Sequence, residues 1–254
     1  MSGIASVWIA SLLVTLRLAP TLVFAPPFTL MRIPASVRVL LAVALSFWVV
    51  DARPELTSMR IMGQPLPGLV LGELVIGISI ALSLQLAFAA IMWAGRVLDI
   101  QAGFGLAMLA DPTTNAQIPL AGTILAYAAA MVFFTIGAQY DLLALWLASV
   151  EKLPIGYGVI RPDVAALAQY LSSVFFVAIG LVGAAVLAIF LADLVIAFLS
   201  RTLPQMNVLL LGFQVKAILM IVTLPIAIGL AGALFLRLVR IAVTEPAKFW
   251  SAVP

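Results

Sequence analysis

Residues 164–199 read VAALAQYLSSVFFVAIGLVGAAVLAIFLADLVIAFL, a run with a single charge, Asp193. A helix that crosses a bilayer needs about 20 mostly apolar residues, and this run is far longer. As one helix, at ~1.5 Å per residue, it would reach ~54 Å. The hydrocarbon core is only ~30 Å thick. Either the run folds back as a hairpin near Gly180 and Gly183, or it projects beyond the lipid.

Working outward, similar apolar runs occupy residues 4–24, 37–50, 66–94, 118–138 and 208–239. The second is short for a span and works only if it extends back into residues 34–36. Turn signals separate the runs: Pro26, Pro27 and Pro34; residues 51–67; the Gly-rich stretch 96–117; residues 140–163 with Pro154, Gly156, Gly158 and Pro162; and residues 200–207 with Pro204. The fold class that follows is an all-α, multi-helix polytopic membrane protein, one membrane domain over 1–254.

Composition agrees. Hydrophobic residues make up 65% and charged residues 9%, against roughly 45–50% and 25% in soluble domains. The mean hydropathy is +1.26. A soluble chain of this kind would expose large apolar patches. With no Cys and no His, the usual thiolate and imidazole metal ligands and His-based nucleophilic catalysis are missing. No cofactor and no metal are expected. The net charge of +3 comes from dispersed residues without a recognition motif, so nucleic acid is not an expected partner. No Lys or Arg precedes the first apolar run, and Arg17 interrupts it, so it reads as a retained helix. With six spans assumed, loop Lys and Arg divide seven to five, which weakly favours cytoplasmic termini.

Several charges sit in or beside apolar runs: Arg17, Glu73, Arg96, Asp99, Asp193, Arg201 and Lys216. A charge at the centre of a spanning helix costs ~2.5–3.5 kcal/mol, so such groups usually face protein or water with a partner. The alternative for Arg17, Arg96 and Lys216 is snorkelling from a helix end. Glu73 and Asp193 are too short for that, and buried or inter-subunit pairing is expected for them. Gly68 and Gly72, continued by Gly77 and Ala81, form a small-residue ridge suited to close helix packing.

The stretch 96–117 is the most unusual. Gly103 and Gly105 flank Phe104, Leu106 and Met108 follow, and Asp111-Pro112 breaks the helix. Irregular backbone at membrane depth is tolerated only where protein buries it or it lines a cavity. It is therefore either a loop that lines or plugs a pore, sealed by Phe104, Leu106 and Met108, or an ordinary surface loop. Residues 200–207 fit a helical hairpin turn and a simple capped turn equally well. No Walker loop, dinucleotide fingerprint or HExxH appears, and the chain is not read as an enzyme.

The residues also carry a resemblance. Arg17-x-x-Pro20, Pro26-Pro27, Arg32-x-Pro34-x-x-x-Arg38 and Gly72-Glu73 with Gly77 resemble the first part of the FliR/SctT family of export-gate proteins. Gly95-x-x-x-Asp99-x-Gln101-x-Gly103-Phe104 with Asp111-Pro112-x-Thr114-x-x-Gln117 is similar to that family's central signature. Ser200-Arg201-Thr202-x-Pro204-Gln205-Met206-Asn207 with Gly212-Phe213-x-x-Lys216 is similar to its C-terminal one. The motifs occur in order over nearly the whole chain. Gly212-Phe213 leans toward the flagellar branch. The chain departs from the family at Gln139-Tyr140, where His is frequent, and at Val150, where an aromatic is common. A role tied to that His is not carried over.

The resemblance implies a gate in the bacterial inner membrane, at the flagellar basal body. One copy of the chain would close a helical assembly of several FliP and several FliQ copies, with FlhB around it and FlhA nearby. Tilted helical hairpins would build it, residues 1–138 being FliP-like and 164–240 a FliQ-like hairpin. Residues 99–117, Asp111 and Pro112 included, would plug the closed channel, and unfolded flagellar subunits would be the cargo. The competing readings are an injectisome SctT subunit, a secondary transporter using a helix break at Gly180 and Gly183 with Asp193 as proton site, and a scaffold that conducts nothing.

Overall fold

The structure, a computed structural model, describes residues 2–58, 61, 65–104, 119–156, 160–202 and 208–252. Among these it is built from α-helices: α1 (Ser2–Phe24), α2 (Ala35–Ala52), α3 (Leu66–Gln101), α4 (Leu120–Thr135), α5 (Ala138–Lys152), α6 (Val164–Thr202), α7 (Val208–Leu230) and α8 (Gly232–Thr244). A two-stranded antiparallel ribbon, β1 (Ile160–Pro162) with β2 (Trp250–Ala252), pairs Arg161 with Ser251. Short 3-10 turns lie at Pro54–Leu56 and Glu245–Lys248. Among the described residues five helices are long and apolar enough to cross a membrane, and α4 with α5 makes a sixth if that bent pair counts as one span.

Proline and glycine place most of the boundaries. Pro34 caps α2, whose first residue is Ala35, and α2 stops at Arg53 before Pro54. The short second run is thus extended on both sides, to 18 residues. Gly137, at φ 78°, separates α4 from α5. A left-handed residue there ends one helix without the strain that a side chain would add. Asp163 accepts a hydrogen bond from the Ala166 amide at 3.0 Å and caps α6.

Three boundaries differ from the sequence reading. First, Arg96, Asp99 and Gln101 are not loop residues; α3 continues through them to Gln101. Polarity alone does not end a helix when tertiary partners exist for the polar groups. Second, residues 138–152 form α5 rather than a connecting stretch, because the Pro and Gly residues that suggest a loop begin only at Pro154. Third, α6 is one unbroken helix of 39 residues, with no hairpin and no break at Gly180 or Gly183. Gly183 has open space around its Cα, and a Cβ on Gly180 would meet only Leu234 at 3.4 Å. The helix break that the transporter reading required is not there. Residues 208–239 divide at Ala231 into α7 and α8.

The chain divides into two compact units. The first comprises Met1–Ala87, Phe133–Ser172 and Val239–Pro254; the second comprises Phe88–Val132 and Ser173–Leu238. In the first, α1 and α2 form an antiparallel pair. The Arg38 guanidinium donates to the Val23 carbonyl and, at 3.4 Å, to that of Leu22, satisfying the C-terminal end of α1. Trp8 meets Phe47 edge to face at 5.0 Å. In the second, α6 and α7 run antiparallel, with Ile196 beside Gly212 and Asp193 beside Lys216.

The outer surfaces are strongly apolar. Leu40 is 67% exposed, Phe176 76% and Leu230 79%. In lipid, tails solvate such residues as well as another Leu would, so apolar area does not by itself draw helices together. Close backbone approach and buried polar ties must hold the units, and both are present.

Candidate functional site

The first unit carries a fully buried charge. Arg17, on α1, is fully buried. Its Nε donates to Glu73 Oε2 at 2.6 Å and its Nη2 to Glu73 Oε1 at 2.8 Å. This is the two-pronged geometry in which guanidinium and carboxylate fit best. Nη2 also donates to the Leu153 carbonyl at 2.9 Å, and Nη1 reaches the Ser149 hydroxyl at 3.3 Å. One side chain thus ties α1 to α3 and to the end of α5. Four residues along α3 from Glu73, one turn away, Gly77 lets α1 come close. A Cβ there would lie 2.5 Å from the Leu16 carbonyl oxygen. Gly68, on the same sequence ridge, has nothing within 4 Å, and Gly72 is only partly covered.

A second polar node joins α3, α6 and α8. Ser83, fully buried, donates to the Ala242 carbonyl at 3.1 Å, and the Tyr170 hydroxyl donates to the Ser83 carbonyl. The Tyr170 ring packs edge to face on Phe249 at 5.3 Å.

In the second unit the two helices that flank residues 105–118 are fastened together. Gly95 of α3 crosses Gly122 of α4 so closely that a Cβ on Gly95 would lie 2.2 Å from Gly122 Cα. One turn further along α3, Asp99 is 1% exposed. Its Oδ1 and Oδ2 accept from the Ala121 amide at 3.1 and 3.3 Å. That amide is one of the first-turn donors without a partner inside its own helix, and the helix dipole favours a carboxylate there. Asp99 therefore pairs within its own chain. After α3, Gly103 takes φ +88°, with the Phe213 ring 2.9 Å from where its Cβ would stand. Phe104 meets Phe213 edge to face at 6.3 Å. Beside them is an apolar cavity of about 530 Å³ lined by Phe104, Leu120, Ile124, Met220, Ile221, Leu224, Pro225 and Ile228. Of the expected plug residues, Leu106, Met108, Asp111 and Pro112 lie outside the described residues.

Asp193 and Lys216, partly exposed, pair at 2.5 Å between α6 and α7. Arg201 is exposed in the last turn of α6, and Arg96 is exposed on α3.

Sequence reasoning did not find Ser149, the Leu153 carbonyl, Ser83 or Tyr170, and it met Phe213 only as part of the C-terminal motif. Gly122-x-x-x-Ala126 is a small-residue pattern that could have pointed to the Gly95 crossing. Backbone carbonyl acceptors leave no trace in side-chain identity.

These elements define a polytopic helical membrane protein whose polar chemistry fastens helix to helix. Among the described residues no group of acidic side chains could hold a metal ion. A family model described as bacterial export proteins, family 1, matches residues 8–241. The chain is 28% identical over 224 residues to the flagellar biosynthetic protein FliR of Bacillus subtilis, covering 85% of each. It is 25% identical over 220 residues to FliR of Escherichia coli, covering 86% of this chain and 81% of that one. The secretion system apparatus protein SsaT of Salmonella typhimurium matches at 28% over 167 residues, 63% of this chain and 62% of its own. The chain belongs to the bacterial export proteins, family 1.

Proposed function

We propose that this chain is a membrane subunit of a type III protein-export apparatus, of the flagellar kind, in the bacterial inner membrane. With several copies each of FliP and FliQ, one copy would complete the channel through which unfolded flagellar subunits leave the cell. FlhB and FlhA are its expected neighbours. Residues 1–138 act as the FliP-like part and 164–240 as the FliQ-like hairpin. Residues 99–117, with Phe104, Leu106 and Met108, plug the channel when nothing passes.

The observation that carries the proposal is the family match over residues 8–241. The flagellar relatives named above cover more than four-fifths of this chain, whereas the secretion-system relative covers 63%. That difference supports the flagellar branch over the injectisome branch. The long, apolar, outward faces of α6 and α7 suit a subunit that packs among other helices.

The test is co-expression with FliP and FliQ, extraction in detergent and native mass spectrometry. A complex with one copy of this chain and several of each partner is the expected result. A lone, monodisperse chain that ignores both partners would refute the proposal. Capture by injectisome partners in their place would move it to the other branch.

A further inference from the structure

We propose that Arg237 and Arg240 of α8 bind the phosphate of an anionic phospholipid and mark the level at which the chain leaves the bilayer. The inference goes beyond the export reading: it concerns the lipid, and it needs only that the chain spans a membrane.

A single outward stripe runs along α7 and α8. On α7 its members are Val222, Ile226 and Leu230, all apolar and all exposed. Helical hydrogen bonds bridge the break between the two helices. The Ala231 amide donates to the Ala227 carbonyl at 2.9 Å, and the Phe235 amide to the Ala231 carbonyl at 3.0 Å. The helical phase therefore carries over. Ala233, Arg237, Arg240 and Thr244 continue the stripe at spacings of three and four residues, and each is exposed. The other side of α8, with Phe235, Leu238, Val239, Ala242 and Val243, is buried.

The stripe turns from apolar to basic over a short distance. Leu230 ends the 20-residue span Leu211–Leu230. At ~1.5 Å per residue that span is ~30 Å long, the thickness of the hydrocarbon core. Arg237 follows ~10 Å further along the axis. Side chains of a helix lean toward its N-terminus, here back toward Leu230, which brings the guanidinium to the headgroup layer.

The two arginines stand one turn apart on the same face, with their Cβ atoms about 5–6 Å apart. Residues 208–244 contain no Asp or Glu, and among the described residues neither arginine forms an ion pair. Glu245, the next acid along the chain, is held by Lys248. The complement to these two charges is therefore an anion from outside the chain. At headgroup depth that anion is a lipid phosphate, which a guanidinium grips with two parallel hydrogen bonds. A zwitterionic headgroup carries its own cation, so the anionic one is preferred.

Two measurements on the full-length chain test this. In native mass spectrometry from detergent, wild type should bind dioleoylphosphatidylglycerol in preference to dioleoylphosphatidylcholine. R237Q/R240Q should weaken the phosphatidylglycerol affinity about 25-fold, from about fivefold per arginine, and leave phosphatidylcholine unchanged. Equal affinity of wild type for the two lipids would overturn the proposal and leave an acidic protein surface as the counterion. Unchanged phosphatidylglycerol affinity in the variant would overturn it too. The second measurement does not need that variant. The chain has no Cys, so a single spin label reports depth without background. In vesicles of both lipids, a label on Leu230→Cys should be relaxed by oxygen more than by a water-soluble nickel chelate, and a label on Thr244→Cys the reverse. The same accessibility at both positions would remove the headgroup level from this stripe, and the proposal with it.

Discussion

Replacing Glu73 with Leu should be among the most damaging single changes in the chain. It leaves the Arg17 guanidinium, fully buried, with only Ser149 and the Leu153 carbonyl to satisfy it. Breaking a buried ion pair from one side costs about 3–5 kcal/mol, because a charge stays behind without its counterion. Arg17→Met should cost a similar amount, since it strands the Glu73 carboxylate. The double variant R17M/E73L removes both charges. Ser149 keeps its bond to the Trp146 carbonyl at 2.6 Å, so the Leu153 carbonyl is the principal group left without its donor. A buried acceptor of that kind costs roughly 1–3 kcal/mol. The pair should therefore be cheaper to remove whole than by halves, with a coupling of at least about 3 kcal/mol. SDS titration of the micelle-solubilised protein, followed by far-UV circular dichroism, measures all four corners of the cycle. A double variant as unstable as the sum of the singles would refute the reasoning.

Two further expectations use the same assay. Gly95→Ala should be strongly destabilising, because its Cβ would overlap Gly122 Cα, whereas Gly68→Ala, with open space around it, should be neutral or stabilising by up to about 1 kcal/mol from helix propensity. Equal effects at the two glycines would mean that α3 and α4 do not cross there. Lys216→Ala or Asp193→Ala should each cost more than replacing both, because each single change leaves the other charge without its partner in an apolar helix, where a lone charge costs up to ~2.5–3.5 kcal/mol. A double variant that costs as much as the two singles together would show that the pair contributes nothing.

The spans were legible because composition and run length report directly on the solvent a segment needs. The ends of helices were legible where Pro marks them, as at Pro34 and Pro54, whereas Gly137 lay unmarked inside the apolar run 118–138. They were misread where a helix ends in polar residues, because Asp99 is unfavourable in a bare helix and favourable once Ala121 supplies a donor. That donor is on another helix and belongs to the backbone, so no side-chain pattern announces it. Arg17 and Glu73 each stood out as a charge in an apolar run, but 56 positions separate them, and nothing in either run names the other as its partner. Gly77 and Gly68 look equivalent in the ridge. Only packing shows that one of them meets α1 and the other meets nothing.

The Arg17 cluster also sets an order of events in time. The chain is made from its N-terminus, so Arg17 emerges 56 residues before Glu73 and 136 before Leu153. At roughly 5–20 residues per second, the carboxylate follows by about 3–11 s and the carbonyl by about 7–27 s. Throughout that interval α1 holds an unpaired guanidinium, which costs ~2.5–3.5 kcal/mol at the centre of a membrane helix. Helix α1 is thus fully at home in lipid only after two later helices have followed it. Its insertion waits on α3, and its final satisfaction on the end of α5, which makes biogenesis the stage at which a variant of Glu73 would first be lost.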